Sequence, residues 1–509
     1  MKITDKIKGM DISTLLEEEQ CGAKYYDGGE AEDALDILAR YGVNSVRLRL
    51  WNDPYGDLES TSDYPDTAQV NGRPETAQVS GCPDTAQENS RPTDSHSVSG
   101  STSASPRYKY GAGTNDLETV ITLAKRAKAH GMSILLDFHY SDFWADPGKQ
   151  YPPKAWAGHS PKQLVQAVYD YTYSTLVELK KHDIIPVMVQ VGNELTNGCC
   201  WPLGNRHFGR EGAERAELTR LVSEDGGRAE DAGRHEEGPA PYFNPILKDM
   251  LTAGIVAVRE ASPDSIIMLH LDNGGNNDLY RDWFDGYFAC KGAGLWVGTE
   301  ENRSARVPRA VITEAGSRSD DFDVIGLSYY PFWHGNFAAL EHNLNDIAAR
   351  YGKELVIAEV SMGHSMEDYR RYELPAGRKE QPEPARKAAG EANLFAQEEK
   401  AVADTLPESI DDLKGMATRE ALIQSLDYPM TPEGQASFMQ HLNRIIEAVP
   451  GHLGRGYYYW EPAWIPVPGC GWATPASLEY IHDHGPCGNE WANQALFDYD
   501  GHVLPALKV

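Results

Sequence analysis

Short apolar runs rich in β-branched residues alternate with amphipathic helical stretches along almost the whole chain, and this alternation limits the fold more than any other feature. The runs are "GMDIS" from residue 9, "VNSVRLRLW" from 43, "SILLDFHY" from 133 and "IPVMVQVGNE" from 185, then "SIIMLHLDN" from 265, "FDVIGLSYYP" from 322, "ELVIAEVS" from 354 and "GYYYWEPAW" from 456. Near-continuous apolar strands of this kind are buried on both faces, as in a parallel sheet covered by helices. Between them lie helical patterns with end signals. "AEDALDILARYG" stops at a glycine, and "NDLETVITLAKRAKAHG" opens on Asn115 as the expected N-cap and closes on Gly131. Eight strands with intervening helices is the count of a (β/α)8 (TIM) barrel. An open doubly wound sheet is the rival architecture, but it carries a glycine-rich phosphate turn after a strand, and no such turn occurs here.

Three segments break the alternation. Residues 60–107 contain "PDTAQVNGR", "PETAQVSGC" and "PDTAQENSR", followed by a serine-rich stretch. Such polar repeats bury too little apolar surface to offset the entropy of ordering, so disorder is expected. Residues 203–242 are charged and glycine-rich, and a loop insertion is expected there. Residues 366–413 are rich in Glu, Lys, Ala and Pro, a third charged insertion. Setting the three aside leaves a length ordinary for one decorated barrel, so residues 1–509 are read as a single catalytic domain.

The formal net charge is -29. A polyanion repels nucleic acid and anionic membrane, so neither is an expected partner, and a neutral ligand such as a sugar suits the charge. The seven cysteines show no metal-type spacing and are expected to be reduced. The opening "MKITDKIKGMDIS" has no apolar signal-peptide core, so a cytoplasmic location is expected if Met1 is the start. A monomer is expected.

In a (β/α)8 barrel the site is built at the C-terminal ends of the strands. Strand one ends with Asp11. Strand two offers Arg47, Arg49, Trp51 and Asn52. Strand three offers Asp137, His139 and Tyr140, with Asp142 and Trp144 just after. Strand four ends in Asn193 and Glu194, and strand five in His270, Asp272 and Asn273. Strand six offers Tyr329, Tyr330 and Trp333, strand seven Glu359, and strand eight Trp460, Glu461 and Trp464. Carboxylates, amides, histidines and flat rings together suit a carbohydrate cleft, where sugar faces stack on rings and hydroxyls need fixed polar partners. Asp11, Asn52, Asp142, His270 and Asp272 are candidate partners for those hydroxyls; Asp137, inside its strand, is read as structural. Glu194 and Glu359 stand on strands facing one another across the mouth. Two carboxyls ~5–5.5 Å apart suit a retaining glycosidase, and ~6.5–9.5 Å suits inversion.

The chain resembles glycoside hydrolase family 53, the endo-β-1,4-galactanases. The matching stretches include "KGMDIS", "VNSVRLRLWNDPYG", "HYSDFWADP", "VQVGNELTNGCCWPLG", "IMLHLDNGG", "FDVIGLSYYPFWHG", "LVIAEVS" and "YYYWEPAWIP". The resemblance implies a retaining hydrolase of β-1,4-galactan or galacto-oligosaccharides, with Glu194 as acid/base, Glu359 as nucleophile, and no cofactor. It further implies that Asn193 binds the hydroxyl beside the anomeric carbon and that Arg47 or Arg49 keeps the nucleophile ionised. His139 and Tyr329 complete the polar shell. Trp460 is the platform at the cleavage point, and Trp51, Trp144 and Trp464 are outer platforms.

Secreted members of the family carry signal peptides and none is expected here unless the start is truncated, and the Asp-x-Asp-x-His-x-Asn calcium loop of some bacterial relatives is not found after the nucleophile strand. His364, Glu367 and Asp368 stand there instead and read as solvated surface, so no metal site is expected. The rival functions are a hydrolase of another β-glycan or of short imported oligosaccharides, a catalytically dead sugar-binding barrel, and a metal-dependent hydrolase using His139, His270 and Asp272.

Overall fold

A computed structural model describes residues 6–57, 107–228, 241–295, 322–372, 423, 426–483 and 487–509. Eight parallel strands close into a barrel: β1 Ile7–Asp11, β2 Ser45–Leu50, β3 Ser133–Phe138, β4 Met188–Val191, β5 Ile266–Leu271, β6 Val324–Tyr329, β7 Glu354–Val360 and β8 Gly454–Trp460. Each pairs with its sequence neighbours, and β1 closes the ring by pairing with both β2 and β8. The connecting helices are α1 Ala34–Arg40, α2 Leu117–Ala129, α3 Pro161–Lys181, α4 Pro245–Ala261, α5 Asn277–Ala289, α6 Phe337–Tyr351 and α7 Pro432–Ala448.

Alternation along the strands divides the core in two. Outward residues such as Val46, Leu48, Ile134, Leu136, Val189, Ile267 and Leu269 pack under the helices. Inward residues Ile7, Leu135, Met188, Ile266, Met268, Val324, Val356, Ala358 and Tyr458 fill the lower barrel. Gly9 admits the Tyr458 ring, since a Cβ on Gly9 would lie 2.3 Å from Tyr458 Cδ1. Continuing the inward parity upward brings Arg47, Arg49, Asp137, His139, Gln190, His270 and Ser328 into a polar layer beneath the mouth.

Helix ends follow local chemistry. The α2 N-cap is Asp116, whose side chain accepts from Thr119 N–H, one residue after the expected Asn115; Asn115 is buried and its side chain donates to Ala112 O instead. Ser160 and Gln163 form a capping box at α3, with Pro161 at its first position.

The insertions differ from expectation where they are described. Part of 203–242 is no loop: Gly212–Glu224 is a helix that buries Leu218 and Val222, and Asp225 accepts from Lys162 N–H at the start of α3. Two apolar residues four apart were enough to dock an otherwise charged helix. Within this segment, 229–240 lie outside the described residues. Residues 366–372 continue the ordered chain, with Tyr369 buried, and 373–413 lie outside the described residues. So do 60–106, whose flanks pair as an antiparallel ribbon, Tyr55–Asp57 against Arg107–Lys109. Among the described residues no helix is long and apolar enough to cross a membrane.

Candidate active site

The polar layer is built around Arg47, which is fully buried. Its guanidinium reaches Asp11 Oδ2 at 2.6 Å, Asp137 Oδ2 at 2.8 Å, Glu359 Oε1 at 2.7 Å and Asn193 Oδ1 at 2.8 Å. Arg49, one layer higher, reaches Glu461 Oε1 at 2.5 Å and Asp11 Oδ1 at 3.3 Å, and its guanidinium lies 4.4 Å from the centre of the Trp144 ring. The choice between the two arginines is thereby made: Arg47 holds Glu359, and Arg49 supports Asp11, Glu461 and Trp144. Burial works against ionised Asp11, but Arg49, Arg47 and the Ser13 hydroxyl together bring its pKa below the ordinary carboxylate value. Glu461, also bonded by the Thr14 hydroxyl, is pushed up to about 7 by burial despite Arg49.

Glu359 reaches the site through an irregularity in β7. Strict alternation from Val356 and Ala358 would turn Val360 inward. Instead Ile357 and Val360 pair with Tyr457 and Tyr459, three steps on β7 against two on β8. This bulge turns Glu359 inward and Val360 out into the helix-facing core. Glu359 Oε2 accepts from the Tyr330 hydroxyl at 2.7 Å. Burial raises its pKa, with Arg47 and Tyr330 acting against the rise.

Glu194 leaves β4 through a left-handed backbone, φ 45°, after Gly192 at φ 88°, where a Cβ would lie 2.6 Å from Leu195 Cδ2. Glu461 after β8 and Asn273 after β5 are also left-handed. Such conformations cost energy in non-glycine residues and mark places where the surroundings dictate the backbone. Glu194 Oε1 lies 2.6 Å from Ser328 Oγ. Burial, then the negative charges of Glu359 and Asp272, raise its pKa well above the ordinary value, and among the described residues no cation is bonded to it. One ligand atom each from Glu194, Glu359 and His270 lie within 4.8 Å of one another. The trio has the donor types of a metal site, but Arg47 already supplies a positive charge to Glu359 and both ring nitrogens of His270 have protein partners.

The other sequence-predicted residues divide. Asn193 is in the site; its Nδ2 donates to Ala145 O. His270 is in the polar layer, and burial, then Arg47, hold its pKa well below normal. Asp272 stands beside Glu194, bonded by the Thr196 hydroxyl, with its pKa pushed up by burial to about 6. His139 is held by its loop: Nδ1 accepts from Trp51 Nε1 and Ala145 N, while Nε2 lies 2.9 Å from Asp137 Oδ2 without forming a hydrogen bond. Asp142 is a loop clamp, accepting from Asp53 N at 2.9 Å and Lys154 N at 2.7 Å. Asn52 donates its backbone N–H to Ser141 O, in the same clamp.

Tyr329 is the clearest correction. Its hydroxyl donates to Gly335 O, and its ring stacks on Phe438 in the outer core. Tyr330, of the opposite parity, reaches Glu359. Trp51 and Trp464 are fully buried and form no platform; Trp464 Nε1 donates to Asn489. Trp144 and Trp460 do line the mouth, with ring centres 6.1 Å apart. The row continues through Trp491, 5.3 Å from Trp460, to Trp333, 6.1 Å further and 43% exposed. Ser328, Gln190 and Trp491 were not anticipated. Ser328 and Gln190 carry a signal, since both share inward parity with apolar residues below them. Trp491 lies beyond the last strand and carries none. His364 is buried rather than solvated, its ring against Tyr499, while Glu367 is exposed and Asp368 accepts from Arg370.

Comparisons with known proteins agree with this architecture. The family model described as "Glycosyl hydrolase family 53" matches residues 7–81, 98–292, 297–409 and 398–509. The "Uncharacterized protein in bgaB 5'region" of Niallia circulans is 32% identical, over 98% of this chain and 91% of that protein. The "Endo-beta-1,4-galactanase" of Bacillus subtilis (strain 168) is 30% identical, over 99% of this chain and 85% of the relative. Among solved structures, the Ignisphaera aggregans GH53 catalytic domain aligns with a TM-score of 0.62 and 29% identity, covering 100% of this chain and 96% of that one.

Proposed function

The chain belongs to glycosyl hydrolase family 53 and is a glycosidase, and from that premise we propose that it is a retaining endo-hydrolase of β-1,4-galactosidic bonds in (arabino)galactan and galacto-oligosaccharides. The observation that carries the reading is the close approach of Glu194 and Glu359, an oxygen of each within 4.8 Å, in unlike surroundings. That spacing favours retention, which needs ~5–5.5 Å, over inversion at ~6.5–9.5 Å. Glu359, held by Arg47 and Tyr330, suits a nucleophile that must stay anionic. Glu194, buried beside two carboxylates, suits an acid that must stay protonated.

Glu359 attacks the anomeric carbon while Glu194 protonates the departing glycosidic oxygen. The glycosyl-enzyme ester is then opened by water, whose proton Glu194 takes. Asn193, its oxygen committed to Arg47 and its amide to Ala145 O, is fixed beside Glu194, where a sugar hydroxyl next to the anomeric carbon would lie. Trp460 and Trp144 form the ring surface for the sugar face. The name of the Bacillus subtilis relative, "Endo-beta-1,4-galactanase", supports galactan as substrate. NMR of the first product formed from β-1,4-galactan tests the mechanism: the β-anomer should appear first, and early α-anomer overturns retention. Rates on galactan, xylan and mannan test the substrate; faster turnover of either of the latter two overturns it.

A further inference from the structure

We propose that Ser328 and His270 are positioning residues that keep Glu194 protonated, through a one-way hydrogen-bond chain beginning at Arg47. The inference rests on the reading of Glu194 as acid/base and adds to it the device that holds its proton.

Counting hydrogens along the chain leads to this assignment. Arg47 can only donate, so the Asn193 atom 2.8 Å from its Nη2 is the amide oxygen. Ala145 O can only accept, so the Asn193 atom facing it is the NH2 group. The orientation of Asn193 is therefore settled from both sides. His270 Nδ1 lies 2.9 Å from that same amide oxygen. Two acceptors do not pack so closely, so Nδ1 carries a hydrogen. The Glu194 peptide N–H also faces Nδ1, but at 3.5 Å. Gln190 Nε2 lies 3.1 Å away, yet its two hydrogens have Asp137 Oδ1 at 2.5 Å and Gly192 O at 3.2 Å to receive them.

The His270 ring is fully buried, with Arg47, His139 and His334 around it opposing a second charge. A neutral ring with its hydrogen on Nδ1 has a bare Nε2, and Nε2 lies 2.8 Å from Ser328 Oγ. The single hydrogen of Ser328 is thus committed to His270. Its remaining contact, 2.6 Å to Glu194 Oε1, is a hydrogen bond only when Glu194 brings the proton. The charged groups that act on the carboxyl, Glu359, Asp272 and Asp146, are all acidic and favour the same state. When the leaving oxygen takes the proton, the new carboxylate faces an oxygen lone pair. It is then a stronger base for the water of the second step.

The usual reading of a serine beside a carboxylate is the reverse, a donor that stabilises the anion, and the two readings differ in sign. Ser328→Ala removes the acceptor for the Glu194 proton. The basic limb of kcat/KM against pH on soluble β-1,4-galactan should move to lower pH by about one unit, while Ser328→Thr, which restores the hydroxyl, should keep the wild-type limb. An unmoved limb, or one moved to higher pH in Ser328→Ala, overturns the chain. Glu194→Ala acting on an aryl β-galacto-oligosaccharide, whose phenolate departs without an acid, with azide added, separates the two layers of inference. Rescue as a β-galactosyl azide keeps the acid/base reading whatever Ser328 does. Absence of rescue removes that reading, and the proposed chain with it.

Discussion

Arg47 Nη2 lies 2.7 Å from Glu359 Oε1 inside a barrel whose polar layer shields both from water. The same guanidinium also holds Asp11, Asp137 and Asn193. One rigid fork therefore sets the charge of the nucleophile and the position of the residue next to the acid/base. A lysine has the charge but not the fork.

Arg47→Lys should accordingly be costly in both respects. Losing the close buried ion pair with Glu359 is worth about 1.5–3 kcal/mol, or roughly 10- to 150-fold in kcat. Asp11 and Asp137 would also lose their shared partner, so thermal stability should fall. Steady-state kinetics and a melting curve on the purified variant check this; wild-type kcat would refute the role assigned to Arg47.

Tyr330→Phe and Tyr329→Phe form a matched pair. The Tyr330 hydroxyl favours the anionic form of Glu359, so its removal raises the nucleophile pKa. The acidic limb of kcat/KM should move to higher pH. Tyr329 bonds only Gly335 O among the described residues, so its loss should cost about 1 kcal/mol of stability and leave the pH profile in place. Equal profiles for the two variants would contradict the assignment.

Trp491 extends the ring surface beyond Trp460. Trp491→Ala should raise KM for long galactan about 5- to 30-fold, equivalent to ~1–2 kcal/mol of lost apolar contact. Turnover of the shortest cleavable oligosaccharide should change little. Trp51→Phe, at a fully buried ring, should lower the melting temperature and spare KM. Comparing KM over a series of chain lengths distinguishes the two.

Asp249 carries a pH signature of its own, apart from the catalytic carboxyls. Burial raises its pKa to about 6, although it accepts from the backbone of Leu295. Between its unfolded value near 3.8 and about 6, the folded state keeps a proton that the unfolded chain has released. Its stabilising contribution is complete below the unfolded pKa and is lost as pH rises through the folded one. Asp249→Asn should remove that decline, a relative effect on the order of 2–3 kcal/mol between pH 4 and 6.5. Denaturant unfolding at several pH values checks it; parallel wild-type and variant curves would refute it.

Chelator treatment should leave activity unchanged. A divalent cation at Glu194, Glu359 and His270 would have to displace Arg47 from Glu359 and break the His270 contacts with Asn193 and Ser328. Activity lost in EDTA and restored by a divalent metal would overturn this expectation and the acid/base mechanism with it.

The order of strands and helices was legible because it is written in periodicity. Apolar runs of strand length predicted all eight barrel strands, and strand-end position singled out Glu194 and Glu359. Other readings failed where a side chain's direction depends on a neighbour. Tyr329 and Tyr330 are equivalent as letters; parity counted from inward-facing Val324 separates them. Parity would have misled at Glu359, because the β7 bulge reverses it. Trp51 and Trp464 look like platforms in sequence, but their loops fold them beneath Trp144 and Trp460.

By itself, the sequence determined the barrel and the two carboxyls at its mouth, because burial on both faces of a strand imposes a local pattern that no neighbour is needed to read. The tertiary structure alone decided which arginine and which tyrosine meet Glu359, and which way the hydrogens run from Arg47 to Glu194. Those outcomes depend on the register between adjacent strands and on the competition of several buried donors for the same few acceptors, and neither exists until the barrel closes.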